Sequence, residues 1–239
     1  MVARFYSGNL FLSSLPAAQL EMLRPQLQSV ELKQGQTICK TGESIERVHF
    51  PHSGVISLVV ALYGGGMIEA AMIGHDSIFG ASTALDGETS LNDAIVQISG
   101  AGLTLEVSKL RAHAESHPGF RAGLIKHDQV LFAQAQQSAA CNALHSAEAR
   151  MARWLLRIRD LSDVDEFTLT QEFLSQMLGV RRQSVSLVAS TLQNAGLISY
   201  RRGHIQITNV EGLMDVSCEC YETVRAHYDR LLPPVTGSK

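Results

Sequence analysis

Two clusters of basic side chains sit in a stretch of the chain that holds no acid. Arg181, Arg182, Gln183 and Ser186 stand at the start and outer face of one segment, and Arg201, Arg202 and His204 surround the glycine at 203. These residue types carry a directional chemistry. A guanidinium can hydrogen-bond guanine O6 and N7 together, and a carboxamide can do the same for adenine. Arginines at the tip of a projecting loop suit phosphate oxygens, which supply affinity without sequence choice. From Phe173 to Val210, 38 residues contain neither Asp nor Glu. The formal net charge of −3 therefore conceals an asymmetry: residues 1–149 carry 9 Lys+Arg against 13 Asp+Glu, and residues 150–239 carry 11 against 10.

The elements that must position these groups follow from the surrounding pattern. A helix is predicted over 168–179, with Thr170 as N-cap and Phe173, Leu174, Met177 and Leu178 on one apolar face. Gly179 supplies the break, and a second helix runs from Arg182 to Asn194 with Val185, Val188, Ala189 and Leu192 inward. Residues 197–201 and 204–208 read as a β-hairpin turning at Arg202-Gly203. Helix, tight turn, helix and basic hairpin make a winged helix-turn-helix. In that arrangement Arg181, Arg182, Gln183 and Ser186 are expected to read bases from the second helix. Thr170, Gln171, Arg201, Arg202 and His204 are expected to meet phosphates. A module acting through protein contacts, with a degenerate helix-turn-helix, is the alternative.

Upstream the texture changes. After a short helix at 16–23, short β-rich runs are predicted at 29–32, 37–39, 48–50, 54–62, 67–73, 94–98 and 103–107, separated by turn residues. Such spacing without intervening helices predicts an antiparallel sandwich or jelly roll. Residues 119–160 hold no proline and, after Gly119 at their start, one glycine, Gly123, so they predict a long helix, about 60 Å if unbroken. A heptad seam through 120, 124, 127, 131, 134, 138, 141 and 145 fails in its second half, although alanines there would let two helices approach closely. Trp154, Leu155 and Ile158 are expected to pack this helix onto the C-terminal domain. The fold class is α+β, in three parts: a β-roll over 1–118, a connecting helix over 119–160 and the winged helix over 161–239.

These motifs resemble those of the Crp/Fnr family of bacterial transcription regulators. The resemblance rests on residues 169–185, Leu-Thr-Gln-Glu-Phe-Leu-Ser-Gln-Met-Leu-Gly-Val-Arg-Arg-Gln-Ser-Val, followed by Leu197-Ile-Ser, and on Gly35-x-x-Ile38-x-x-x-Gly42-Glu43 and Gly54-x-Ile56 upstream. It implies a cyclic-nucleotide-binding-like β-roll, a dimerisation helix and a homodimer that binds a two-fold symmetric site on double-stranded DNA, with RNA polymerase as a partner of any activator. In cAMP-binding members a Glu after a glycine takes the ribose hydroxyl and a following Arg takes the cyclic phosphate. Here the segment comprises Gly80, Ala81 and Ser82, then Asn92 and Asp93, with Ala81 at the Glu position and Asn92 near the Arg. Alanine cannot accept the ribose hydrogen bond, and asparagine beside Asp93 offers no fixed cation. This pocket for an effector is therefore expected not to hold cAMP in the usual mode, and no cofactor is expected.

Other chemistries are narrowed by elimination. At 239 residues, 45% apolar and 18% charged, the chain is neither disordered nor a disulfide scaffold. The opening residues contain no apolar signal core, and the greasy stretch 55–73 is broken by Gly64-Gly65-Gly66 and Glu69. A cytoplasmic protein without a membrane partner is the expectation. With no cysteine before Cys39, the N-terminal ligand run of an iron–sulfur sensor is missing. Cys141 is read as a buried inert thiol and Cys218-x-Cys220 as structural, while His49, His52 and His75 are read as surface or core residues and not as metal ligands. Phosphate-loop, nucleophile-elbow and zinc-protease motifs are missing, so no catalytic residue is expected.

Overall fold

The strand pattern of the first hundred residues closes into two antiparallel sheets because each strand has one apolar face to hide. The computed structural model describes residues 8–232; the opening residues read above for a signal core lie largely outside that range. Two short helices, α1 (Leu10–Ser13) and α2 (Ala17–Leu23), lead into β1 (Gln28–Leu32), β2 (Thr37–Cys39), β3 (Arg47–Pro51), β4 (Val55–Ala61) and β5 (Met67–Ile73). A 3₁₀ turn at Ala81–Leu85 precedes β6 (Asp93–Ile98) and β7 (Gly100–Glu106). One sheet has the order β1-β7-β3 and the other β2-β6-β4-β5. Val48, Phe50, Leu103 and Leu105 from the first sheet, and Ile56, Ile73, Ala94 and Val96 from the second, are buried between the layers and their flanking helices.

The helical region differs from its sequence reading in two ways. An additional helix, α3 (Val107–Ser116), precedes α4 (Pro118–Leu144). Residues 119–160 are not one helix, because α5 (Ala147–Ser162) starts afresh after a break. His145 and Ser146 both take extended backbone (ψ 150 and 153), and the Ser146 hydroxyl accepts the Ala149 N–H at 3.2 Å. Serine favours this capping role over a helix interior, which is why the chain stops there. The failed heptad also has a physical reason. Phe120, Leu124, His127, Gln134, Ser138 and Cys141 are buried against the protein's own body. The outward face of α4 instead presents Ile125, Gln129, Phe132, Gln136, Ala139 and Ala143, spaced alternately four and three residues apart.

Beyond α5 come β8 (Glu166–Thr168), α6 (Gln171–Leu178), α7 (Arg182–Asn194), β9 (Ile198–Arg201), β10 (His204–Ile207), α8 (Val210–Val216) and α9 (Cys220–Leu231). The strands form a small sheet of order β8-β10-β9, so the hairpin gains a third strand that the sequence pattern did not predict. Gly179 ends α6 in the left-handed conformation (φ 59°), and the Val180 N–H reaches back to the Ser175 carbonyl at 3.0 Å. A side chain at 179 would also meet Ile68 of β5 at 2.6 Å, so the turn of the motif lies directly on the β-roll.

Helix α5 joins the two halves. Met151, Leu155, Ile158 and Leu161 share a continuous core with Val55, Val59 and Met72 of the β-roll and with Leu174, Val185 and Ile205 of the winged helix. Trp154, expected on the C-terminal domain, also reaches the β-roll: its indole N–H donates to Glu69 Oε1 at 3.0 Å. One helical turn on, Arg157 donates to Asp76 Oδ2 at 2.6 Å, and its guanidinium lies 4.6 Å from the centre of the Tyr228 ring. The Tyr228 hydroxyl meets Ser77 Oγ at 3.0 Å and accepts from Gln134 Nε2 at 2.8 Å, while Gln134 Oε1 accepts the Met72 N–H at 2.7 Å. His127 Nε2 accepts the Ile78 N–H at 2.9 Å.

Glu69 is fully enclosed in this network. Ser57 Oγ donates to Glu69 Oε2 at 2.5 Å and lies 2.7 Å from Gln97 Oε1. A serine hydroxyl has one hydrogen, and with it directed to the carboxyl a turned Gln97 amide, whose Nε2 otherwise has no partner, can donate to the hydroxyl in its turn. Burial pushes this carboxyl from 4.5 up to about 7, against the opposing pull of Ser57, Arg153, Trp154 and Arg157. The folded state thus binds the proton more tightly than the unfolded chain does. Its contribution is complete below pH 4.5 and is lost as pH rises through 7, a change of about 3 kcal/mol at most. Glu69→Gln mimics the protonated group, and urea denaturation should find it more stable than the parent at pH 8 and nearly equal at pH 5. An unchanged pH slope in the variant would disprove the protonated carboxyl.

Candidate nucleic-acid interface

The basic clusters converge on one exposed face. Arg181 caps the N-terminus of α7 with extended backbone (ψ 145°), and Arg182 and Gln183 form its first turn; all three are exposed. The inward positions Val185, Ala189 and Leu192 are buried, so packing fixes which side of α7 faces out. Arg201 and Arg202 lie at the wing tip, where Arg202 (φ 52°) and Gly203 (φ 82°) make the left-handed pair of a tight hairpin turn. None of these four arginines takes part in an ion pair among the described residues, whose ion pairs all lie elsewhere.

The remaining predicted residues frame the same face. Thr170 caps α6, its hydroxyl accepting the Phe173 N–H at 3.1 Å. Gln171 Oε1 lies 3.0 Å from the Ser186 hydroxyl, which also lies 3.3 Å from the Arg182 carbonyl. Ser186 is thus half-buried and ties the start of α6 to the first turn of α7. His204 is exposed, with Nδ1 3.4 Å from Thr168 Oγ1. Thr170, Gln171, Arg182, Tyr200, Arg202 and Gly203 line an open groove of about 330 Å³ between helix and wing.

Two members of this face lay outside the sequence assignment of contacts. Tyr200 donates its hydroxyl to the Leu169 carbonyl at 3.1 Å, and its N–H donates to Gln193 Oε1 at 2.7 Å. Burial raises its phenol above the ordinary value, opposed by the nearby Arg182. Alternation along β9 was the available signal, since Tyr200 points opposite to its exposed neighbours Ser199 and Arg201. Leu187, 70% exposed one turn into α7, offers an apolar surface of the kind that meets a thymine methyl. Its polar neighbours had marked it only as outward-facing.

The segment around 80–93 is occupied by the protein itself. Gly80 adopts φ 85°, and Ala81 is buried in the core with Phe11, Ile78 and Leu110. Ser82 lies within the 3₁₀ turn, and its carbonyl accepts the Gly87 N–H at 3.0 Å. The Asn92 carbonyl accepts from Ser90 Oγ at 2.6 Å. Asp93 Oδ1 accepts the N–H and hydroxyl of Thr41 at 2.8 and 2.9 Å, which ties β6 to the β2 loop. His49, His52 and His75 do not come together as a metal-ligating group among the described residues. No helix of the described residues is long and apolar enough to cross a membrane.

Comparison with known proteins agrees with this geometry. Residues 149–216 match the family model of the Crp-like helix-turn-helix domain. That span begins within α5. The fold is shared with FixK2 from Bradyrhizobium japonicum, at 18% identity and TM-score 0.68, over 80% of this chain and 98% of that one. It is shared likewise with a Crp/Fnr-family regulator from Eubacterium rectale, at 15% identity and TM-score 0.67, covering 88% and 98%. CLP from Xanthomonas campestris, a c-di-GMP-responsive global regulator, is similar at 12% identity and TM-score 0.65, covering 80% and 99%. No curated protein matches significantly in sequence. The chain thus carries a Crp-like helix-turn-helix domain over residues 149–216, within the fold it shares with these regulators.

Proposed function

We propose that the protein is a cytoplasmic homodimer that reads a two-fold symmetric DNA site through α7 and grips its backbone through α6 and the wing. The observation that carries this reading is the placement of Arg182 and Arg202 on one groove, with Arg181 and Arg201 exposed beside them in the chain and none of the four paired with an acid. A recognition helix meets base edges with its first residues, which assigns base reading to Arg181, Arg182 and Gln183. Ser186 supports them through Gln171, and Leu187 adds an apolar contact. Thr170, Gln171, Arg201, Arg202 and His204 serve the phosphates. The intact helix-turn-helix disfavours a module acting through protein contacts alone.

The outward face of α4 supports the homodimer. Phe132, 65% exposed, and Ile125 stand seven residues apart on a face otherwise made of Ala and Gln, which allows close approach of a second copy. When the protein acts as an activator, RNA polymerase is its further partner. The β-roll works without cAMP in the usual mode. Ala81 contributes to the core in place of a ribose-binding carboxylate, and Asp93 already holds Thr41. A cyclic phosphate there would meet a carboxylate and no arginine.

Arg182→Ala should cost about 1–3 kcal/mol on a site selected from random DNA and relax base choice at one position per half-site. Equal losses on selected and random duplexes, measured by mobility shift, would remove its base-reading role. Arg201→Ala should weaken both duplexes alike and lower the salt slope by about 1 per protomer; an unchanged slope would assign the phosphate contact elsewhere. Calorimetry with cAMP should show no binding, whereas micromolar affinity would overturn the reading of Ala81 and Asn92.

A further inference from the structure

Four side chains far apart in sequence meet where α4 ends and α9 begins. Cys141 lies in the last turn of α4, His145 just beyond it, and Cys218 and Cys220 at the entry to α9. Their donor atoms, three sulfurs and one imidazole nitrogen, all lie within 4.8 Å of one another. Cys141 Sγ is 3.5 Å from Cys218 Sγ, and Cys220 Sγ is 3.5 Å from His145 Nδ1. A tetrahedral ion with sulfur ligands at about 2.3 Å and nitrogen at about 2.0 Å requires donors roughly 3.5–3.8 Å apart. The observed spacing needs only small side-chain adjustments to meet that requirement. It is too tight for a multi-iron cluster, whose ligands stand further apart.

The surroundings suit a metal as well as the ligands do. His145 Nε2 lies 3.2 Å from Glu219 Oε1, an arrangement that holds the proton on Nε2 and leaves the Nδ1 lone pair facing the sulfurs. Gln137 Nε2 donates to Cys220 Sγ at 3.0 Å, as outer-shell donors do to metal thiolates. Charge points the same way. A divalent ion with three thiolates and a neutral imidazole carries a net −1. Arg150 and Arg153 lie within electrostatic reach of Cys141. Arg153 is buried, its Nε has no hydrogen-bond partner, and it takes part in no ion pair among the described residues. A buried cation is costly unless a counter-charge is near, and an anionic metal–thiolate centre would supply one.

We propose that Cys141, His145, Cys218 and Cys220 bind a single zinc ion that clamps the end of α4 to the start of α9. Three thiolates and an imidazole select a soft tetrahedral ion over calcium or magnesium, which take oxygen ligands. Binding releases three thiol protons to solvent as three Zn–S bonds form, without any change of oxidation state. The clamp closes a loop that contains the whole helix-turn-helix, since Cys141 and Cys218 are 77 residues apart. Sequence motifs miss it because C-x-x-x-H and C-x-C are each too short to identify a metal alone.

The test uses the full-length protein, purified under reducing conditions and analysed for metal, then stripped and titrated with cobalt(II). One zinc per chain, and a cobalt form with the intense visible bands of tetrahedral thiolate ligation, are expected. His145→Ala, at a partly exposed position outside helix, should weaken binding by more than the roughly 10–100-fold typical of outer-shell changes. Glu219→Ala should stay within that range, and its exposed site makes misfolding an unlikely source of the effect. Circular dichroism of each variant checks the fold. Failure of the folded, reduced protein to bind either ion, or equal affinity in His145→Ala, would overturn the proposal. Iron with acid-labile sulfide, or a Cys141–Cys218 disulfide with no metal uptake, would overturn it as well.

Discussion

The ion pair between Arg157 and Asp76 sets the relation between the two halves of the molecule. Both side chains are at most 10% exposed, and they come from elements that would face water in either half alone. Two charges taken out of water are stable only if each meets the other in good geometry, and losing one partner of such a pair costs about 3–5 kcal/mol. Asp76 sits in the loop after β5, Arg157 lies midway along α5, and Tyr228 covers the guanidinium from the last helix. The polar contacts that spread from this point, through Ser77, Gln134 and Met72, join α4 as well. The orientation of the winged helix on the β-roll is thus specified by hydrogen bonds as well as by apolar burial. Movement between the halves would have to break them together.

The same residue type does opposite work a few turns away. On α5, Arg150, Arg153 and Arg157 are buried on one side of the helix, where Arg150 caps the Leu178 carbonyl at the end of α6. On α7 and the wing, Arg181, Arg182, Arg201 and Arg202 are exposed and unpaired. A guanidinium is always charged, so its role follows from whether the fold brings it an acceptor. Arg150 and Arg157 find acceptors inside the chain, and the exposed set is left for an anionic partner. The acid-free interval ensures that no carboxylate competes for it.

The β-roll packs the turn after β5 tightly against its flanking helices. Ala81 packs into the core with Phe11 and Ile78, and helix α4 lies against the 3₁₀ turn that starts there. Hydrogen bonds from His127 and Gln134 to the loop and strand of the β-roll hold α4 down. The space between sheet and helix is used for packing.

Much of the design was legible in the order of the residues. Strand alternation, turn glycines and the helix-turn-helix pattern predicted β2, β5 and α7 to the residue, because these depend on local periodicity and capping. The break at Ser146, helix α3 and strand β8 were not legible. A serine in a helix-forming run can cap or continue, and β8 is defined by its pairing with β10, a contact between segments nearly forty residues apart. The inward face of α4 looked like a failed heptad because its polar members, Gln134 and His127, find partners only on the β-roll. The sequence by itself determined which residues could contact DNA, through their types and their distance from acid. Tertiary structure decided which arginines are buried, which residues lie between the halves, and that two short cysteine motifs meet a histidine, since those depend on contacts between segments remote along the chain.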